Sequence, residues 1–192
     1  MIVTPNNFLE AVNEVLSAIG APPVLTLDNS SYSNIDVVNA QAMIQRVNRE
    51  VQSRGWAFNT RSNVKLMSDL YDKRVRYLNT YLKVVGAGSN LVNRNNYFFD
   101  LNNHTNQFPN GLTLSTLVEA VDFDYMPEVH KKYVTCRAAR LFQSRYLTSQ
   151  ELDAELQVAE MDASRDLLNY ELEYGNYTIF GDTYISGQLQ RR

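Results

Sequence analysis

The stretch LTLSTLVEAVDFDYMPEVHKKYVTCRAARLFQ (112–143) decides the fold class, because the period of its apolar residues changes part-way along. Leu112, Leu114, Thr116 and Val118 alternate, as in a strand with one buried face. After Pro127 the spacing becomes helical. Val134, Ala138, Leu141 and Phe142 face one way on a helix running to about Tyr146, with Cys136 and Ala139 adjacent. Both periods in one chain point to a mainly α protein with a β-rich insertion, of the α+β class.

The same contrast extends outward. Val64, Leu66, Val84-Val85, Leu91-Val92 and Tyr97-Phe98-Phe99 sit in short runs with strand character. Eight of the 21 residues from Asn90 to Asn110 are asparagine, which tolerates left-handed turns and marks a hairpin region. As an exception within the β-rich stretch from about Thr60 to Asp122, Leu70, Val75, Leu78 and Leu82 predict a short helix over 69–83.

Upstream, Thr4-Pro5 reads as the start of a first helix with Phe8, Val12, Val15 and Ile19 on one face and Gly20 as its stop. Ser33 and Asp36 have capping-box spacing for a second, with a stripe of Val37, Ala40, Ile44, Val47 and Val51 ended by Gly55. Trp56-Ala57-Phe58 then anchors that end in the core. Downstream, Thr148 and Glu151 open a long fourth helix to Gly175, with the stripe Leu152, Leu156, Ala159, Ala163, Leu167, Tyr170, Tyr174. The expected architecture is an antiparallel four-helix bundle in a single domain. Residues 1–60 and 123–175 would form the bundle, 61–122 the β-hairpin or sheet insertion between helices 2 and 3, and 176–192 an extended C-terminal arm.

Composition excludes more than it assigns. The 192 residues include 18 basic and 21 acidic side chains, one cysteine and two histidines. That rules out a disulfide framework and the usual zinc spacings, and gives no support to a generally basic nucleic-acid coat. The first basic residue is Arg46, so the start lacks a secretory n-region. Val15 to Leu27 is broken by Gly20 and Pro22-Pro23 and is too short to span a bilayer. No membrane insertion is expected, and the lone Cys136 fits the cytosol.

Charge is segregated along the chain. Arg46–Arg94 holds ten basic and three acidic residues (+7), Glu128–Thr148 five and one (+4), and Ser149–Tyr174 one and eight (−7). Packing helix three antiparallel on helix four would set opposite charges side by side. These are solvated faces with incidental pairing, or they fix register between helices or between neighbouring subunits.

Catalytic motifs are missing. There is no G-x-x-x-x-G-K-[ST] loop and no G-x-S-x-G elbow, and Gly86-Ala87-Gly88 fails the dinucleotide fingerprint at its third glycine. His130, beside Lys131 and Lys132, reads as a surface residue, and Cys136 as core. Asp122 and Asp124 form the best carboxylate pair. Metal ligation or glycosidase acid/base work competes with a simpler role at the N-terminus of the helix opened by Pro127, which is favoured. Arg61 to Lys83 interleaves basic and aromatic residues that suit a phosphate backbone or, at least as well, a solvated or acidic-partner face. No catalytic, cofactor-binding or metal-ligating residue is assigned, no cofactor is expected, and no enzymatic activity. Tyr177, Ile179, Phe180, Tyr184, Ile185 and Leu189 on the glycine-punctuated end suit docking onto another surface.

Six blocks carry a resemblance. VNEVLSAIGAPPVLTLDN (12–29), VNREVQSRGWAFN (47–59), LVNRNNYFFD (91–100), DFDYMPE (122–128), RAARLFQSRYL (137–147) and YGNYTIFGDTYISG (174–187) occur in one order. The set resembles the tail tubular protein A family, the adaptor or gatekeeper of T7-type short-tailed bacteriophages. The resemblance implies a virion protein of the head–tail junction, made in the host bacterial cytoplasm. It further implies a homo-oligomeric ring, a dodecamer, beneath the portal protein, joining it to the nozzle (tail tubular protein B) around the channel through which double-stranded DNA leaves. On this basis Tyr177, Phe180 and Tyr184 are expected to contact the portal. A ring needs complementary faces on each subunit, and Glu155, Glu160, Asp162, Arg137 and Arg140 are the candidate subunit-interface or lumen charges. The alternative function is a tail-associated hydrolase of cell-wall or capsular polysaccharide using Asp122 and Asp124; a third is a DNA-binding module on Arg61–Lys83.

Overall fold

In a computed structural model, residues 5–27, 34–147 and 149–174 are described. Among them the chain forms α1 (Phe8–Ser17), α2 (Ile35–Gln52), β1 (Thr60–Leu66), β2 (Tyr81–Gly86), β3 (Leu91–Arg94), β4 (Tyr97–Asp100), β5 (Leu112–Glu119), α3 (Glu128–Tyr146) and α4 (Gln150–Tyr174). The strands make two antiparallel sheets, one in the order β1-β5-β2 and one a β3-β4 hairpin.

This α+β arrangement is not a four-helix bundle. The strands build a core of their own, in which Phe98, Leu112, Leu114 and Leu117 are buried with Val75. The helical core is built mainly by three helices, through Val12 and Val15 of α1, Val37, Ile44 and Val47 of α2, and Val134, Ala138 and Phe142 of α3, with Ala163 and Leu167 of α4 added at its side. α4 packs extensively on α3 alone. Only Ala163, Leu167 and Glu171 of its 25 residues are buried, too narrow a stripe for a bundle member that must face two neighbours.

Local chemistry explains the element boundaries. Thr4 lies outside the described residues, and α1 begins at Phe8 rather than Pro5. Asn7 Oδ1 accepts from Glu10 N at 2.9 Å while Glu10 Oε2 accepts from Asn6 N at 2.7 Å, a reciprocal cap that outcompetes the proline start. For α2 the cap is Asn34, whose Oδ1 accepts from Asp36 N at 3.0 Å; Ser33 lies outside the described residues. Gly55 follows α2 at φ +85°, and a Cβ there would meet Val118 Cγ2 at 3.1 Å, so glycine is required both for the turn and for the close approach. Thr148 lies outside the described residues.

The short helix expected over 69–83 does not form. Asp69 Oδ1 accepts from Tyr71 N at 2.8 Å, Asp72 Oδ1 from Arg74 N at 3.0 Å, and Lys73 sits at φ +57°. These Asx turns offer the backbone an alternative to the helix. Val75 instead enters the sheet core, with its carbonyl accepting from Phe98 N at 3.0 Å, and Leu82 belongs to β2. The Asn95-Asn96 pair, at φ 53° and 61°, makes the two-residue β3–β4 turn as the asparagine-rich sequence leads one to expect.

The two cores meet through Gln52, which is 1% exposed. Its amide donates to Val121 O at 2.8 Å and accepts from Val121 N at 2.8 Å, tying the end of α2 to the link between β5 and α3.

Candidate functional site

No described group of three or more His, Cys, Asp or Glu side chains has the placement to hold a metal ion. No described helix is long and apolar enough to cross a membrane. The chemistry of the molecule is concentrated instead along the α3–α4 hairpin and the surfaces on either side of it.

The antiparallel seam carries an ion-pair ladder. Arg140 Nε lies 2.9 Å from Asp153 and its Nη1 3.1 Å from Glu160; Arg137 Nη1 is 3.3 Å from Glu160; Lys132 Nζ is 2.9 Å from Asp166. Arg137 also reaches Glu50 of α2 at 2.7 Å, so one guanidinium joins three helices. The hydrogen bond from Arg140 holds the Asp153 carboxyl below its usual range, and that from Lys132 does the same for Asp166. Each pair is part-exposed and worth only about 0–1 kcal/mol, but together they set the register of a helix that has few buried apolar anchors.

Of the charges singled out in the sequence, Arg137, Arg140 and Glu160 are therefore brought together within the chain. Asp162 pairs with Arg165 on the outer surface at 3.0 Å. Glu155 is exposed and has no ion-pair partner among the described residues. Tyr177, Phe180 and Tyr184 lie outside the described residues.

His130 is not a surface residue. It is fully buried, with its ring against Phe58 (centroids 4.5 Å apart), Trp56 (5.2 Å) and Tyr170 (6.1 Å). Its Nε2 lies 3.3 Å from Glu171 Oε1, yet the two are not aligned as a hydrogen bond. Burial pushes the imidazole down to about 4. The neighbouring Lys131 is buried as well, its ammonium donating to Asn6 O and Glu128 Oε1, both at 3.0 Å. Two adjacent polar residues in the first turns of α3 thus face inward, which no apolar periodicity reveals. Cys136 is in the core, and burial raises its thiol to about 11, far from a nucleophile's range.

Asp122 and Asp124 do not form an acid/base couple. Asp124 Oδ1 accepts from Phe8 N at 2.7 Å, closing one of the open donors at the start of α1 rather than of α3. The hydrolase reading has no support. The basic run is also largely spoken for: Arg61 pairs with Glu119, Arg74 pairs with Asp72 at 2.6 Å and lies 4.3 Å from the centre of the Tyr97 ring, and Lys73 donates to Leu70 O. Lys65, Arg76 and Lys83 remain exposed.

The surface missed by sequence reading is the outer face of α4. Val158 is 59% exposed, Met161 64%, Leu168 52% and Leu172 63%. The stripe read from the sequence meets α3 through Ala163 and Leu167, but Leu152 and Tyr174 at its ends are exposed too. The outer residues recur at 158, 161, 168 and 172, with Arg165 in the open heptad position, a spacing that was readable before the structure. A helix apolar on two faces has more than one partner.

The sequence pattern described as "Tail tubular protein" matches residues 9–177, most of the chain. The chain belongs to the tail tubular protein family. It is accordingly a structural component of the phage virion tail, and the ladder, the caps and the paired basic residues are parts of a building block of that tail. Among curated proteins there is no match to the chain.

Proposed function

We propose that this tail tubular protein is the A-type adaptor: copies form a ring, a dodecamer, that joins the portal to the nozzle (tail tubular protein B) and surrounds the DNA exit channel at the head–tail junction. The family match over residues 9–177, which spans both the helical and the sheet core, supports the reading at the level of a tail building block, and the six blocks that resemble the A-type family support the finer assignment. The subunit works as one domain, with the β-rich residues 61–122 inserted between helical parts and the arm 176–192 as the portal contact through Tyr177, Phe180 and Tyr184. It performs no chemistry of its own and needs no cofactor. The α3–α4 ladder ties up Lys132, Arg137 and Arg140 within the subunit, which suits a wall past which DNA slides without being held by them.

The arm is the part to test. A chain ending at Tyr174, and separately the triple variant Tyr177→Ala, Phe180→Ala, Tyr184→Ala, should keep the melting temperature of the parent and lose co-sedimentation with purified portal. Undiminished portal binding by both would refute the assignment of the arm.

A further inference from the structure

We infer that the outer face of α4 in one copy seats in the groove between α2 and α3 of the next copy. The inference rests on the ring proposed above and adds the two surfaces that would build it.

The donor surface is narrow and well defined. At about 100° per residue, Ala154, Val158, Met161, Leu168 and Leu172 fall within an arc of about 80°, roughly opposite the Ala163–Leu167 stripe that meets α3. Glu151, Glu155 and Asp162 line one edge of that arc. Glu151 and Glu155 have no ion-pair partner among the described residues. The surface is an acidic-edged helix face, apolar but for Arg165, which lies within the arc and is held to Asp162 at 3.0 Å, and it has no apolar partner among the described residues.

The acceptor is a groove with the opposite character. Met43 and Phe142 form its buried floor, Ala42 and Tyr146 its apolar sides, and Arg46 and Arg145 its rim. Tyr146 is held by stacking on Phe142 at 4.4 Å and by accepting from the Asn39 amide at 2.6 Å, so the wall is set before anything docks. Neither Arg46 nor Arg145 has an ion-pair partner among the described residues. Unpaired acids edge the helix and unpaired guanidiniums rim the groove, so the two surfaces complement each other in charge as well as polarity.

Their placement favours a chain of copies over a closed pair. On α3, Phe142, Arg145 and Tyr146 lie about 140–240° round the helix from Arg140, which faces α4. Donor and acceptor therefore sit on different flanks of α3. Such a contact is heterologous: it leaves a free face and a free groove after each addition, and closes only as a ring.

The test uses the full chain in two variants. Val158→Glu with Leu168→Glu spoils the face; Ala42→Glu with Arg145→Glu spoils the groove. All four positions are exposed, so both variants should show the circular-dichroism melt of the parent. By sedimentation and light scattering at about 100 μM, the parent should form species larger than a dimer, and each variant alone should be monomeric, its association weakened by roughly a hundredfold or more. An equal mixture should recover association but stop at a dimer, because one intact face and one intact groove remain between the two. Assembly of either variant like the parent, or a mixture that stays monomeric, would overturn the assignment of these surfaces while leaving the ring reading standing. A parent that remains monomeric at this concentration would likewise overturn the assignment, while the ring reading is decided separately by the number of copies bound to the portal.

Discussion

Acidification from pH 7 to pH 5 should cost this protein about 2 kcal/mol of stability, and one residue should account for it. His130 is enclosed by Trp56, Phe58 and Tyr170, and burial lowers its imidazole from the usual 6.5 to about 4. The unfolded chain therefore takes up a proton near pH 6.5 that the folded chain refuses until about pH 4. Across that window the unfolded state binds more protons, so stability rises with pH and falls on acidification. A shift of roughly 2.5 units at 1.36 kcal/mol each gives ~3.4 kcal/mol once pH is below both values, of which ~2 kcal/mol is lost by pH 5. Asp153 and Asp166, held below their ordinary range by Arg140 and Lys132, also lose their contribution on acidification, but only below the ordinary carboxylate range. Glu14, raised from 4.5 by burial, acts in the opposite direction and nearer its own range. Denaturant unfolding at pH 7, 6 and 5 reads the effect, and His130→Phe should flatten it to less than about 0.5 kcal/mol, since a phenyl ring fits the same aromatic surroundings. In a His104→Gln background the single imidazole can be followed by NMR. An unchanged pH slope in His130→Phe, or an imidazole that titrates above pH 6 in the folded chain, would refute the reasoning.

Other consequences are as direct. Leu167→Ala removes one of the few buried anchors of α4 and should cost about 2–4 kcal/mol, read by urea unfolding; a cost near zero would mean that α4 is held by its ion pairs instead. Asp124→Ala should cost about 1 kcal/mol by opening the Phe8 N–H at the start of α1, whereas Asp124→Asn, which keeps an acceptor, should recover most of it. Cys136 should resist maleimide in the native protein and react only as fast as the chain unfolds, and rapid labelling at pH 8 would contradict its burial.

What could be read from the sequence followed the strength of local signals. The strand from Leu112 and the paired asparagines 95 and 96 are period and turn chemistry and appear where the residues put them, but an irregularity beyond Leu114 gives the sheet core Leu117 in place of the alternating Thr116. The opposed charges of residues 128–148 and 149–174 meet as the α3–α4 ladder because a short link makes the helices antiparallel. Long-range partners were illegible. Nothing near Asp124 shows that it closes α1 from 116 residues away, and no pattern marks His130 as enclosed by rings from two other segments. The 69–83 segment has helical spacing, but Asp69 and Asp72 satisfy the backbone locally and Val75 is worth more in the sheet core. The bundle expectation failed because periodicity counts helices without saying which of them touch. α4 carries two apolar faces, and only one is used among the described residues.

The central claim is that this tail tubular protein works as a ring seated on the portal. Native mass measurement of the full chain mixed with purified portal tests it most directly. The account predicts a single complex with a fixed number of copies per portal, twelve, that the chain ending at Tyr174 fails to form. A chain that stays free of the portal, or binds it in a variable number of copies, would contradict it.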